Sequence, residues 1–198
     1  VGDLKKVLSN VKTRGVLGEI QLGNILEEIM SREQYETNVK TKKGSDAIVE
    51  FAIKLPGKDN NDGSVYLPID AKFPQEDYVR LQTAYEAGDP IAVEISMKAL
   101  LQAVKKFAKD ISTKYIDPPH TTDFGIMFLP IEGLFAEVVR QPDMIAFLQR
   151  EYKIVVTGPT TLAAMLNSLQ MGFKTLAISL IPLSKFAKFR TPKETVIA

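Results

Sequence analysis

Two strand-like runs separated by a dense cluster of turn formers constrain this chain more than any other feature. The runs are Ala47-Ile48-Val49-Glu50-Phe51-Ala52-Ile53-Lys54-Leu55 and Val65-Tyr66-Leu67-Pro68-Ile69-Asp70-Ala71-Lys72. Between them lies Pro56-Gly57-Lys58-Asp59-Asn60-Asn61-Asp62-Gly63-Ser64, and strand, turn cluster, strand predicts an antiparallel hairpin. Residues i and i+2 of a strand share a face. Asp70 and Lys72 therefore project side by side, with Ala71 pointing away. If Leu55 pairs with Val65, Glu50 falls opposite Asp70, and such partners sit ~5 Å apart at Cβ. Two carboxylates that close repel unless a cation or proton lies between them. A slip of one residue would dismantle the group, and Asp46 is then the alternative second acid. The bland explanation of Asp70 and Lys72 is a solvent-facing ion pair, which contributes little.

The rest of the chain supplies an α/β frame for this hairpin. Asp3 to Lys12 carries Leu4, Val7, Leu8 and Val11 at helical spacing, and Gly15 and Gly18 are expected to interrupt it. A helix is predicted over Leu17 to Met30, buried through Leu22, Ile25, Leu26 and Ile29. Glu19 borders that face, where the helix dipole also favours a first-turn acid. A first strand is predicted over Glu36 to Lys42. Lys40, Lys42 and Lys43 form a small basic run, a solvated surface or a set of phosphate contacts. Pro68 inside the second hairpin strand argues for a sheet edge.

Helices are predicted over Gln75 to Ala87 and Ile91 to Tyr115. The second has an apolar stripe from Met97 to Ile111, with Lys98, Lys105, Lys106 and Lys109 on its remainder. His120, the only histidine, lacks a companion ligand at motif spacing and reads as structural. The continuous apolar run Phe124 to Ile131 predicts a strand covered on both faces. Glu132 reads as an acid in the first turn of one helix reaching about Arg150. A short strand at Lys153 to Val156 and a helix from Leu162 to about Pro182 follow. The order of elements predicts an α/β domain with a mixed β-sheet flanked by helices.

At 198 residues with a net charge of +1, the chain is long enough for one cored domain. It is not basic enough overall to point to nucleic acid by charge alone. It has no cysteine, which rules out disulfides and cysteine zinc sites and fits a reducing cytoplasm. No apolar run is long enough to span a membrane. The chain begins at Val1 rather than Met, which suggests a piece of something longer. Residues 1–14 read as the end of an upstream helix or linker, 15–182 as the folded domain and 183–198 as a basic tail.

An acid on one strand followed by Asp-X-Lys on the next is similar to the PD-(D/E)XK nuclease signature, a weak pattern by itself. Four longer words narrow it: Arg14-Gly15-Val16-Leu17-Gly18-Glu19, Val49-Glu50-Phe51-Ala52-Ile53-Lys54-Leu55-Pro56, Pro68-Ile69-Asp70-Ala71-Lys72-Phe73 and Phe128-Leu129-Pro130-Ile131-Glu132-Gly133. Together they resemble the RmuC family of bacterial DNA recombination proteins, from about Arg14 to about Leu180. Leu17 departs from the tryptophan common there, at a position expected to pack.

The resemblance implies a restriction-endonuclease-like (PD-(D/E)XK) core whose site holds Mg²⁺ or Mn²⁺ through Glu19, Glu50, Asp70 and the Ala71 carbonyl, hard oxygen donors suited to those ions. Lys72 would position the attacking water and stabilise the transition state. The implied function is metal-dependent DNA phosphodiester hydrolysis serving DNA recombination and the limiting of rearrangements, with DNA as partner. Lys40, Lys42 and Lys43 are candidate DNA contacts. The resemblance also implies a missing N-terminal coiled-coil or membrane segment. That segment would allow self-association and tether the full-length protein, while this piece makes no membrane contact. A scaffold that kept the fold and lost cleavage is the rival. A P-loop nucleotide hydrolase is disfavoured by the lack of a glycine-rich phosphate loop.

Overall fold

A computed structural model describes residues 11–56 and 64–179. The Asp3 to Val11 repeat falls almost wholly outside the described residues, as do most of the turn cluster and the basic tail. The described elements run α1 (Val11–Ile29), β1 (Tyr35–Val39), β2 (Val49–Leu55), β3 (Val65–Ala71), α2 (Gln75–Ala87), α3 (Pro90–Tyr115), β4 (Gly125–Phe128), α4 (Glu132–Val139), α5 (Pro142–Tyr152), β5 (Ile154–Thr157) and α6 (Pro159–Ser179), with a short 3₁₀ turn, Arg32–Gln34, before β1. The strands form one five-stranded sheet in sequential order. The pairs β1–β2 and β2–β3 are antiparallel, and β3–β4 and β4–β5 are parallel. The sheet is therefore mixed, as the sequence predicts.

The pleat sorts the core into two layers. Ile53, Leu67, Ile69, Ile126 and Phe128 pack against Leu22 and Leu26 of α1 and Leu162 and Leu166 of α6. Met127, Ile154 and Val156 pack on the other side against Leu81, Leu100, Val104, Ile111, Leu134 and Leu148 from α2 to α5. Each parallel crossover needs a helical connection: α2 and α3 join β3 to β4, and α4 and α5 join β4 to β5.

Local chemistry sets the element ends. Gly88 takes the left-handed conformation (φ 63°) that stops α2. Asp89 then caps α3, its Oδ1 accepting the Ile91 and Ala92 N–H groups at 3.0 and 3.1 Å.

Three sequence expectations change. The single helix from Glu132 to about Arg150 is two, α4 and α5, because Pro142 cannot continue α4 and instead opens α5. Gly15 and Gly18 do not interrupt α1, which runs continuously from Val11. Strand β3 is central, not at an edge, despite Pro68. Alternate N–H groups of a strand point to opposite neighbours. Those of Tyr66 and Lys72 point toward the β4 side, donating to His120 O at 3.0 Å and Phe128 O at 2.9 Å. The donor that Pro68 lacks belongs to the same set. It falls beside the gap between the Tyr66–Thr121 bridge and the first β3–β4 pair, Ile69–Ile126, so no ladder bond is lost.

Candidate functional site at the carboxyl end of β3

The hairpin register places the acids. Leu55 pairs with Val65 and Phe51 with Ile69, so the next step sets Glu50 opposite Asp70, as the sequence predicts. Here the regular ladders stop. Asn38, which lies between the Thr37–Phe51 and Val39–Val49 pairs of β1 and β2, takes φ 54°, a conformation asparagine tolerates. On the other side the Glu50 carboxylate accepts the Ala71 N–H at 3.1 Å. The side chain of β2 thus takes the place of a backbone acceptor.

Asp70 is almost fully buried, at 1% exposure, and Lys72 forms an ion pair with its Oδ2. Burial raises the Asp70 carboxyl above its ordinary value although Lys72 opposes the shift. Glu50 is pushed up to about 7, first by burial, then by the charge of Asp70, with the Ala71 N–H and Lys72 pulling the other way and Glu19 adding to the rise. Two acids and one ammonium therefore share the end of β3, and near neutral pH one acid is partly protonated.

Glu19 enters by close packing. A Cβ on Gly18 would lie 3.3 Å from the Ala71 Cβ, tighter than most real contacts, and 3.7 Å from Pro130, so the missing side chain lets α1 approach β3 closely here. Glu19, the next residue, is exposed and near enough to act on Glu50 electrostatically. Among the described residues, however, no group of three or more His, Cys, Asp or Glu side chains is arranged to hold a metal ion. The donor set that stands together is Glu50, Asp70 and the Ala71 peptide. Asp46 is not an alternative: it lies in the loop before β2 and pairs with Lys40 at 2.8 Å.

The remaining candidates have local partners. Lys42 Nζ donates to Thr113 O at 2.9 Å, and the Lys43 N–H donates to Asp117 Oδ2 at 3.0 Å. With Lys40 held by Asp46, the basic run serves first to fasten the β1–β2 loop to the end of α3. Glu132 opens α4 and caps a second helix, its Oε1 accepting the Thr160 N–H of α6 at 2.5 Å. His120 contributes its carbonyl to Tyr66. Leu17, expected to pack, is 43% exposed. Sequence reasoning missed Tyr115. It ends α3, its carbonyl accepts the Thr41 hydroxyl at 2.8 Å, and burial and the nearby charge of Asp70 push its hydroxyl up to about 12. Nothing in the helical spacing of α3 marks that residue, because its place near Asp70 is set by tertiary packing.

A mixed α/β sheet whose central strand ends in the buried, cation-paired Asp70, with the half-buried Glu50 of the neighbouring strand beside it, defines an α/β domain with a polar centre at the carboxyl end of that strand. The chain belongs to the RmuC family, whose model matches residues 1–180. It is 54% identical to a DNA recombination protein RmuC homolog of Xylella fastidiosa, over 90% of this chain and 39% of that protein. It is 29% identical to the homolog of Pseudomonas aeruginosa, over 83% of this chain and 36% of that one, and to DNA recombination protein RmuC of Escherichia coli K12, over 80% and 33%. The chain thus spans between a third and two fifths of these relatives. No solved structure matches it. No helix among the described residues is long and apolar enough to cross a membrane.

Proposed function

We propose that this domain is a metal-dependent DNA phosphodiesterase of the PD-(D/E)XK kind acting in DNA recombination. The observation that carries the reading is the Glu50–Asp70 pair. Two carboxylates held together at a buried strand end destabilise each other, and a divalent cation removes that cost. The donor set fits a hard ion. Glu50 and Asp70 supply carboxylate oxygens, and the Ala71 carbonyl leaves β3 on the same side as the N–H that meets Glu50. When bound, Mg²⁺ or Mn²⁺ would lower the pKa of a water and neutralise phosphate charge.

The chain's own groups do the rest. Lys72 stands beside Asp70 with its side chain a quarter exposed. It can orient a water on the solvent side and stabilise charge developing on a phosphate. Glu19 overlooks the pair from α1 and would join the donor set as DNA closes the site. DNA is the expected partner because the relatives' names refer to DNA recombination. The test is Mn²⁺ titration by calorimetry with a cleavage assay on plasmid and linear DNA. Binding abolished by Asp70→Asn, with metal-dependent cleavage, supports the reading. No metal binding and no cleavage sinks it.

A second reading, a DNA-associated scaffold with the same fold, is favoured by one observation. Lys72 already neutralises Asp70, and among the described residues no third acid closes on the pair to form a metal-holding group. It predicts DNA binding without cleavage in the same assay.

A further inference from the structure

Helix α3 carries a charge imbalance that neither the core nor the acid pair uses. From Met97 to Tyr115 it holds Lys98, Lys105, Lys106, Lys109 and Lys114 against one acid, Asp110, a net +4 in a chain of +1. Its core side is Leu100, Val104, Ala108 and Ile111. At 3.6 residues per turn, Lys98, Lys105, Lys106 and Lys109 fall on the outward side, away from that stripe. Lys98 pairs with Glu94 at 2.6 Å, and Lys105 lies over the Phe147 ring at 4.7 Å. Lys106 and Lys109 are exposed and have no ion-pair partner among the described residues. A merely solvated helix face alternates its signs, and the helix dipole favours lysine only in the last turn. Lys105 and Lys109, four residues apart, repel each other. A polyanion lying along the row removes that cost.

The row leads toward the acid pair. Asp70 pairs with Met127, and Met127 packs on the side of the sheet that α3 covers, so Asp70 lies on that side too. Thr41 donates its hydroxyl to Tyr115 O at 2.8 Å, and Lys42 Nζ donates to Thr113 O at 2.9 Å. These bonds tie the end of α3 to the loop that enters β2 just before Glu50, and Lys42 adds an ammonium there.

We propose that the outward lysine row of α3, Lys98, Lys105, Lys106 and Lys109, is a track for the phosphate backbone of DNA leading to the Glu50–Asp70 pair. At 1.5 Å per residue the row spans roughly 17 Å, the length of about five phosphates along one strand. Ammonium groups on flexible stems meet phosphates without reading base edges, so the track takes DNA of any sequence. It deepens the hydrolytic reading by stating how the substrate lies, and it rests on that reading for DNA as the polyanion.

The test is fluorescence anisotropy of short labelled duplexes of two unrelated sequences, over a salt series in EDTA. Wild type is compared with the double variant Lys106→Gln, Lys109→Gln and with Lys174→Gln, a control on exposed α6, which packs on the other face of the sheet. None of these substitutions touches a buried group, so thermal melts should match wild type. The double variant should lose about 10-fold or more in affinity near 0.1 M salt for both sequences, and its log–log salt slope should shrink by about 2. Lys174→Gln should leave both unchanged. Affinity and slope equal to wild type in the double variant overturn the track, as does an equal loss in Lys174→Gln or a wild type that binds no DNA. A cleavage assay with Mn²⁺ keeps the two readings apart. Cleavage by wild type with an unaltered slope in the double variant removes the track and leaves the hydrolytic reading. A reduced slope with no cleavage by wild type removes the hydrolytic reading and leaves the track.

Discussion

Glu50 accepts the Ala71 N–H at 3.1 Å and faces Asp70 across the hairpin. The same side chain therefore completes the backbone pairing and carries the charge that strains it. Burial and Asp70 raise its carboxyl from 4.5 to about 7. Between those values the folded chain binds more protons than the unfolded one, so stability falls as pH rises. A displacement of that size corresponds to on the order of 3 kcal/mol. Asp70, raised by burial, acts in the same direction. Melting temperature of the metal-free protein should decline as pH is raised from about 4.5 to about 7 and then level off. Glu50→Gln keeps an acceptor for Ala71 and removes the charge. It should flatten the decline and be the more stable protein at the alkaline end. A wild-type melt that rises over this range would contradict the assignment.

Gly18 tests how α1 reaches the site. Its missing side chain leaves 3.3 Å between a would-be Cβ and the Ala71 Cβ, so a branched side chain there must push α1 off the sheet. Gly18→Val should cost about 1–3 kcal/mol in urea unfolding, the scale of overpacking. It should also lift Glu19 away from Glu50, lowering the Glu50 pKa slightly. A variant as stable as wild type would mean that α1 is free to ride higher on the sheet.

The parts of this fold that were legible in the sequence are those with local causes. Turn formers flanked by alternating runs fixed the hairpin and its register, and with it the Glu50–Asp70 opposition. Gly88-Asp89-Pro90 marked the α2–α3 junction because a left-handed stop and an Asx cap are short-range chemistry. The errors have tertiary causes. Pro68 pointed to an edge because its missing donor counts only where a neighbour needs it, and whether one does depends on where β4 begins. The local partners of the basic run, Asp46 for Lys40 and the Thr113 carbonyl for Lys42, also depend on tertiary packing and were not legible in the sequence. Tyr115 was invisible because its carbonyl is held by Thr41, 74 residues away in sequence.

Thr157 offers a control on the opposite face. It is fully buried, and its Oγ1 has no hydrogen-bond partner among the described residues. It pairs with Phe128 and so belongs to the α1–α6 side. Thr157→Val removes an unpaired buried hydroxyl at nearly constant shape and should stabilise the protein by about 1 kcal/mol. Urea unfolding reads the result. A loss of stability would show that the hydroxyl is satisfied by a water or a bound group.

Lys72→Ala separates catalysis from structure. Lys72 is the cation paired with the buried Asp70, so its removal leaves two neighbouring acids without that compensation. The metal-free variant should lose stability, though less than the ~3–5 kcal/mol of breaking a fully buried pair, because Lys72 is partly exposed. Mn²⁺ should bind as tightly as to wild type or more tightly, since no ligand is lost and a competing ammonium is gone. Cleavage should nonetheless fall by ~10²-fold or more, the scale for a lost acid–base or electrostatic group. DNA affinity should change little, one phosphate-facing lysine being a small part of a salt-dependent total. Calorimetry, thermal melts, a gel assay with Mg²⁺ or Mn²⁺ and filter binding read the four quantities on one preparation. Tight metal binding with lost cleavage assigns Lys72 to the chemistry. Equal cleavage by variant and wild type places the activity elsewhere. Intact DNA binding with no cleavage by either protein favours the scaffold, in which Lys72 serves only to neutralise Asp70.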